Sequence, residues 1–159
     1  MSSNLSKSAE KVQKELNKFG FELNVIELSD STRTAQEAAN TIGCSISQIA
    51  KSLIFKGKIS QSPILIVASG TNRVNEKAIK QHIGEKLEKA DADFVLKHTG
   101  FVIGGIPPIG HKTPILTLID EDLMQHKEIW AAAGTPHSVF RLTPMILAEI
   151  THGDIICIK

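Results

Sequence analysis

Lys51–Ser69 reads KSLIFKGKISQSPILIVAS. Two short runs rich in aliphatic and β-branched residues, Lys51–Phe55 and Ile64–Ser69, flank a turn opened by Gly57, and this pattern predicts a β-hairpin. Lys51 alternates with Leu53 and Phe55 on one face of its strand, so its stem starts among apolar neighbours while its ammonium must find water or an anion. Two readings stay open for it: a lysine snorkelling from the strand end, or a fixed positive charge held in a cleft for a phosphate or a carbonyl.

Upstream of the hairpin, Leu5, Ala9, Val12, Leu16 and Phe19 recur at steps of four and three, which predicts an amphipathic helix ended by Gly20. Phe21–Leu28 reads as a strand. Thr34 with Glu37 and Ser45 with Gln48 fit capping-box spacing and predict two short helices separated at Gly43. Downstream, Asn75 to about Lys89 reads as a helix broken at Gly84, and Asp91 caps another that Gly100 stops. Strands are expected at Ile115–Ile119, Ile129–Ala133, Ser138–Leu142 and Asp154–Ile158, with a helix capped by Thr143 and begun by Pro144. The reading is an α+β fold in which residues 1–159 make a single domain, because no repeat, low-complexity tract or linker divides the chain.

Composition agrees with a packed core. The chain has 159 residues, of which 42% are hydrophobic and 22% charged, the balance of a globular protein. Aromatics are only 4%, too few for a platform of stacked rings along single-stranded nucleic acid. A net charge of +1 gives no long-range pull on a polyanion. Locally the balance shifts, since the stretch between Glu37 and Glu76 has no acidic residue yet carries Lys51, Lys56, Lys58 and Arg73. That excess is either a set of solvated hairpin lysines or a patch that meets an anion. Cys44 and Cys157 form no CxxC pair, Met1–Lys11 is polar, and the longest aliphatic run, Ile64–Ala68, is far short of the roughly 20 residues that span a bilayer. A reduced cytoplasm and no membrane partner are expected.

Several chemistries are unsupported. Gly105–Thr113, GIPPIGHKT, nearly matches a phosphate-binding loop, but His111 intervenes before the lysine, and Pro107 and Pro108 have no N–H to offer a phosphate. No GxGxxG, GxSxG or HExxH occurs, and the histidines never fall three to five residues apart. No metal or other cofactor is therefore expected. Two glycine-rich segments stand out instead. Gly100–Gly110, GFVIGGIPPIG, is permissive at its glycines and rigid at its prolines; it is either a tight crossing or a loop that offers backbone N–H groups to a ligand. Ala131–Arg141, AAAGTPHSVFR, brings small residues and His137 together between two strands, where small side chains leave room for a guest and His137 is either a solvent-exposed loop residue or a ligand contact.

These segments in this order resemble the YbaK/EbsC family, the free-standing relatives of the editing domain inserted in bacterial prolyl-tRNA synthetases. The resemblance runs from about Thr34 to Ile158 and rests on IAKSLIF with Lys51, on GGIPP with Gly104 and Pro108 in a G-x-x-x-P pattern, on TLID ending at Asp120, and on WAAAGTPH. It implies a mixed sheet curled into a barrel-like core with surrounding helices, and hydrolysis of the ester joining a wrong amino acid to the 3′ end of tRNA. It also implies that neither a metal nor a covalent nucleophile is needed, since an aminoacyl ester is already activated. By the same resemblance Lys51, Gly104 and His137 are catalytic, while Ser52, Gly105, Ile106, Pro108, Ala133 and Gly134 bind substrate. The implied partners are the CCA end of a mischarged tRNA and a synthetase such as prolyl-tRNA synthetase. Around Ala133 and Gly134 the chain departs from cysteinyl-tRNA deacylases of the family, which tend to carry a serine and a following basic residue, so alanine, serine or threonine compete with cysteine as the amino acid removed. The rival readings are a non-catalytic module binding tRNA ends or a synthetase, and a hydrolase of small esters or nucleotides.

Overall fold

The computed structural model describes residues 5–159, so the first four residues of the polar stretch Met1–Lys11 lie outside the described residues. Its centre is the expected hairpin. Strand β2 (Ile49–Gly57) and strand β3 (Pro63–Ser69) pair antiparallel from Ala50↔Ser69 to Lys56↔Pro63. Every residue of β3 is buried, because its other edge pairs in parallel with β5 (Leu116–Asp120) and both of its faces are covered. Leu65 and Val67 point into the main core with Val12, Leu16, Ile129, Phe140 and Leu147. Ile64, Ile66 and Ala68 point the other way, onto Ile79, Leu87, Leu118 and Ile158. Each such large aliphatic side chain contributes about 1.5–3 kcal/mol on burial, so this one strand anchors two cores.

The remaining strands extend the sheet on both sides. The order is β1 (Val25–Glu27), β7 (Ser138–Leu142), β6 (Ile129–Ala132), β2, β3, β5 and β8 (Asp154–Ile156), with β4 (Leu87–Lys89) paired to β2 off this path. β1 and β8 are its two ends, so the mixed sheet curls without closing into a complete barrel. The α-helices are α1 (Lys7–Asn17), α2 (Ala35–Ile42), α3 (Glu76–Ile83), α4 (Ala92–Thr99) and α5 (Pro144–Thr151). Their ends follow the caps read from sequence: the Thr34 side chain accepts from Glu37 N–H, Asp91 from Phe94 N–H and Thr143 from Ile146 N–H, while Gly43, Gly84 and Gly100 close helices in the left-handed region.

Some elements differ from the expectation, each for a local reason. The helix expected to run on to Lys89 ends at Gly84, and Leu87–Lys89 is a strand. Pairing with β2 and the insertion of Leu87 into the second core outweigh the helix propensity of the Lys and Glu residues there. The strand expected over Phe21–Leu28 shrinks to Val25–Glu27, because the Gln13 amide donates to the Leu23 carbonyl and accepts from Val25 N–H in place of a ladder. After Gly43 there is a single 3-10 turn, Ile46–Gln48, in which Gln48 reaches back to Ser45 N–H as the capping box requires. The last strand stops at Ile156, and the Ile158 carbonyl instead accepts from Asn75 N–H at the start of α3.

Candidate functional site

A gap in the sheet positions the site. Along one edge β2 is paired by β3 throughout, whereas along the other β6 pairs only Ile49 and Ala50, and β4 pairs only Phe55–Gly57. Lys51–Ile54 therefore have no strand partner on that side. A cavity of about 380 Å³ opens there. Its floor and walls are mostly small or aliphatic: Ala35 and Ala38 of α2, Ile49, Ala50 and Leu53 of β2, Ala131 and Ala132 of β6, and Ile103 and Ile106. Lys51, Ser52, Arg33, Thr34 and Gly104 supply its polar groups.

Lys51 is half-buried, lies opposite Ala68 in the ladder, and has no carboxylate within ion-pair distance among the described residues. Burial holds its pKa below the ordinary lysine value near 10.5; the Arg73 guanidinium adds to the effect, and Asp120 opposes it. Asp120, the end of TLID, is buried and fully engaged by Ser69 N–H at 2.9 Å, the Asn72 amide at 2.8 Å and Asp122 N–H at 2.9 Å. It thus fixes the turn after β3 that carries Arg73. Ser52 belongs to the cavity lining, but its hydroxyl oxygen is buried behind that surface and has no hydrogen-bond partner among the described residues. Such a group costs stability unless something pairs with it.

The glycine-rich loop closes the other side. Gly104 has φ +95 and the Arg33 side chain lies over it, so a Cβ there would sit 2.6 Å from Arg33 Cγ. A Cβ on Gly105 would sit 2.8 Å from the backbone of Thr135. That close approach lets the Gly105 carbonyl accept from Gly134 N–H at 2.8 Å, which joins the loop to the β6–β7 connection. The connection in turn holds the segment before α2: Thr32 donates through both its N–H and its hydroxyl to the Pro136 carbonyl, and Leu28 N–H donates to the His137 carbonyl. Arg33 and Thr34 are carried to the cavity rim by these bonds.

Lys51, Ser52, Gly104 and Ile106 thus meet at one cavity. Gly105 and Gly134 stand behind it as the backbone joint. Ala133 is fully buried in the main core, whereas its neighbours Ala131 and Ala132 line the cavity. Pro108 lies on a separate groove with His111, whose Nε2 donates to the Pro107 carbonyl at 2.7 Å and whose pKa burial pushes below the ordinary 6.5. His137 is exposed outside the cavity lining, its Nδ1 3.2 Å from the Asp30 carbonyl. Sequence reasoning missed Thr32, Arg33 and Trp130 as lining residues. The available signals were an arginine placed just before the Thr34 cap and the lone tryptophan of WAAAGTPH. Among the described residues no group of His, Cys, Asp and Glu gathers as a metal-binding set.

The family model described as an aminoacyl-tRNA editing domain matches residues 29–150. The chain belongs to this aminoacyl-tRNA editing domain family. It is 34% identical over 148 residues to the uncharacterized protein YwhH of Bacillus subtilis, covering 93% of this chain and 94% of that one. It is 26% identical to EbsC of Enterococcus faecalis, named as a candidate Cys-tRNA(Pro)/Cys-tRNA(Cys) deacylase, over 79% of this chain and 77% of EbsC. A solved structure described as a candidate trans-editing enzyme for prolyl tRNA synthetase superposes with a TM-score of 0.92 at 43% identity, covering 98% of this chain and 99% of that one. No helix among the described residues is long and apolar enough to cross a membrane. The matched span includes Arg33, Lys51, Gly104 and Ala132, all of which line the cavity.

Proposed function

We propose that this editing-family chain is a trans-acting deacylase that hydrolyses the ester between a small amino acid and the 3′ end of a mischarged tRNA. The observation that carries the reading is the cavity at the open edge of β2, where Lys51, a half-buried lysine without a carboxylate partner among the described residues, stands among small apolar walls. Relatives named for deacylation and for prolyl tRNA synthetase support the substrate class. In this reading a water attacks the ester carbonyl carbon, the bond to the tRNA 3′ oxygen breaks, and the water's proton passes to that leaving oxygen. Lys51 stabilises the negative charge that develops on the carbonyl oxygen, or holds the adjacent phosphate. Gly104 presents its backbone to the terminal adenosine, and Ser52 and Ile106 border the aminoacyl group. His137 serves the site by tying the β6–β7 connection to Asp30 and so setting the position of Arg33. A prolyl-tRNA synthetase is the partner that would present the tRNA in the cytoplasm.

Acyl selectivity follows from the wall. Ala132→Leu is expected to fill part of the cavity and to lower turnover of larger acyl groups more than that of alanine, with thermal stability nearly unchanged. Ala133→Leu is expected instead to overpack the main core and cost about 1–3 kcal/mol of stability. Deacylation of alanyl-, seryl- and threonyl-tRNA alongside thermal melts separates the two, and equal selectivity in wild type and Ala132→Leu contradicts this pocket.

The depressed pKa of Lys51 sets a pH dependence. Its cation is required for charge stabilisation, so the enzyme-catalysed rate, corrected for spontaneous hydrolysis, is expected to fall on an alkaline limb lying below 10.5. The folding linkage has the opposite sign: burial disfavours the cation in the folded state, so that penalty is present below the folded pKa and fades as pH rises towards the unfolded value. A pH–rate profile of kcat/KM lacking this limb would contradict the role.

A further inference from the structure

The edge of β2 that opens into the cavity continues into a second feature. Just beyond the unpaired stretch Lys51–Ile54, β4 takes up the edge, and a shallow groove of about 460 Å³ lies there, lined by Lys56, Lys58, Lys86 and Lys89 with Leu87 and Glu88. None of these lysines has a carboxylate within 4.0 Å among the described residues. Two acids stand among them and keep their charge: Glu88, opposite Lys56 in the β2–β4 ladder, accepts from the Gln61 amide, and Glu85 accepts from Ile59 and Ser60 N–H, so the four lysines leave a local positive excess. Lys58, Lys86 and Lys89 are exposed, and Lys56 is held over the Phe94 ring at 5.3 Å. On a molecule of net charge +1, a groove in which lysines outnumber acids is a local field rather than a general one.

We propose that this lysine groove binds the sugar–phosphate backbone of the RNA strand whose 3′ end enters the cavity. The inference rests on the deacylase reading for the direction of that strand. Lys51 and Lys56 are five positions apart on β2, about 17 Å at the rise of an extended strand and on opposite faces of it, so a strand ending in the cavity would pass the open edge of β2 and meet the groove with the nucleotides preceding its terminal one. Lysine ammonium groups on flexible stems suit a phosphate chain, which needs point charges and no base readout.

The test uses the full chain, with an RNA hairpin carrying an acceptor-type stem and a single-stranded CCA tail as one probe and the free CCA trinucleotide as the other. Lys58→Ala with Lys86→Ala, two exposed positions outside the cavity, is expected to weaken hairpin binding about tenfold at moderate salt. It is also expected to reduce the slope of log affinity against log salt by roughly 0.7–0.9 per contact removed, and to leave trinucleotide binding unchanged. Lys58→Arg with Lys86→Arg is expected to retain both the affinity and the slope. Unchanged hairpin affinity and slope in the alanine variant overturn the groove, as does an equal loss with the trinucleotide. If the hairpin binds through these lysines but no mischarged tRNA is hydrolysed, the RNA surface stands and the deacylase reading fails. If tRNA is hydrolysed while binding ignores the lysines, only the groove is overturned.

Discussion

Lys51→Ala is expected to lower deacylation of a mischarged tRNA by about 10²-fold or more while leaving the protein folded, the scale of losing one preorganised charge contact in the transition state. The fold should persist because Lys51 belongs to β2 through its backbone ladder with Ala68, and its side chain forms no ion pair whose removal would strand a buried carboxylate. Asp120, the acid that acts on it electrostatically, keeps its own donors from Ser69, Asn72 and Asp122. Burial already disfavours the Lys51 cation, so its loss removes a desolvation cost and the melting temperature should not fall. Lys51→Arg is expected to be impaired as well, since a planar guanidinium does not replace a compact ammonium in a cleft that already holds Arg33. Single-turnover kinetics with a matched thermal melt checks both variants. Wild-type turnover by a folded Lys51→Ala protein would remove Lys51 from the site.

Gly105→Ala is expected to cost about 2–3 kcal/mol of stability and to depress activity further in the fraction that remains folded. The added Cβ meets the N, Cα and C atoms of Thr135 at 2.8 Å, and backbone atoms cannot move aside as a flexible side chain would. Relief requires the loop to withdraw, which breaks the bond from Gly134 N–H to the Gly105 carbonyl and displaces Gly104 and Ile106 from the cavity. Chemical denaturation gives the stability change, and deacylation under conditions where the variant is folded gives the activity. A Gly105→Ala protein with unaltered midpoint and rate would show that the loop and the β6–β7 connection are not coupled in this way.

Much of the fold was legible because local signals agreed with one another. The β2–β3 hairpin carried β-rich runs and a Gly57 turn, and α2, α4 and α5 each announced an N-cap in Thr34, Asp91 and Thr143. The misread segments are those where distant partners decide. Leu87–Lys89 became a strand through pairing with β2, and Phe21–Asn24 were left out of the sheet because a glutamine on α1 takes up the adjoining backbone. At the site, Lys51 and Gly104 were visible from a motif and from glycine density. Arg33 and Trp130 were not, since their place on the cavity depends on where β6 leaves β2 and on bonds from Thr32 to Pro136. The stretch AAAGTPH shows the same limit at single-residue resolution. Small size marked its alanines alike, but Ala131 and Ala132 of β6 border the cavity while Ala133, just past the strand, is fully buried in the core.

The most direct measurement is release of labelled amino acid from a panel of tRNAs mischarged with alanine, serine, threonine and cysteine, at protein concentrations far below that of the substrate. Multiple turnovers above the spontaneous rate on at least one small acyl group, lost in Lys51→Ala and absent with simple amino-acid esters at comparable efficiency, are the predicted result. No release above background across the panel, or equal turnover of the simple esters, would contradict a tRNA deacylase built on the open edge of β2.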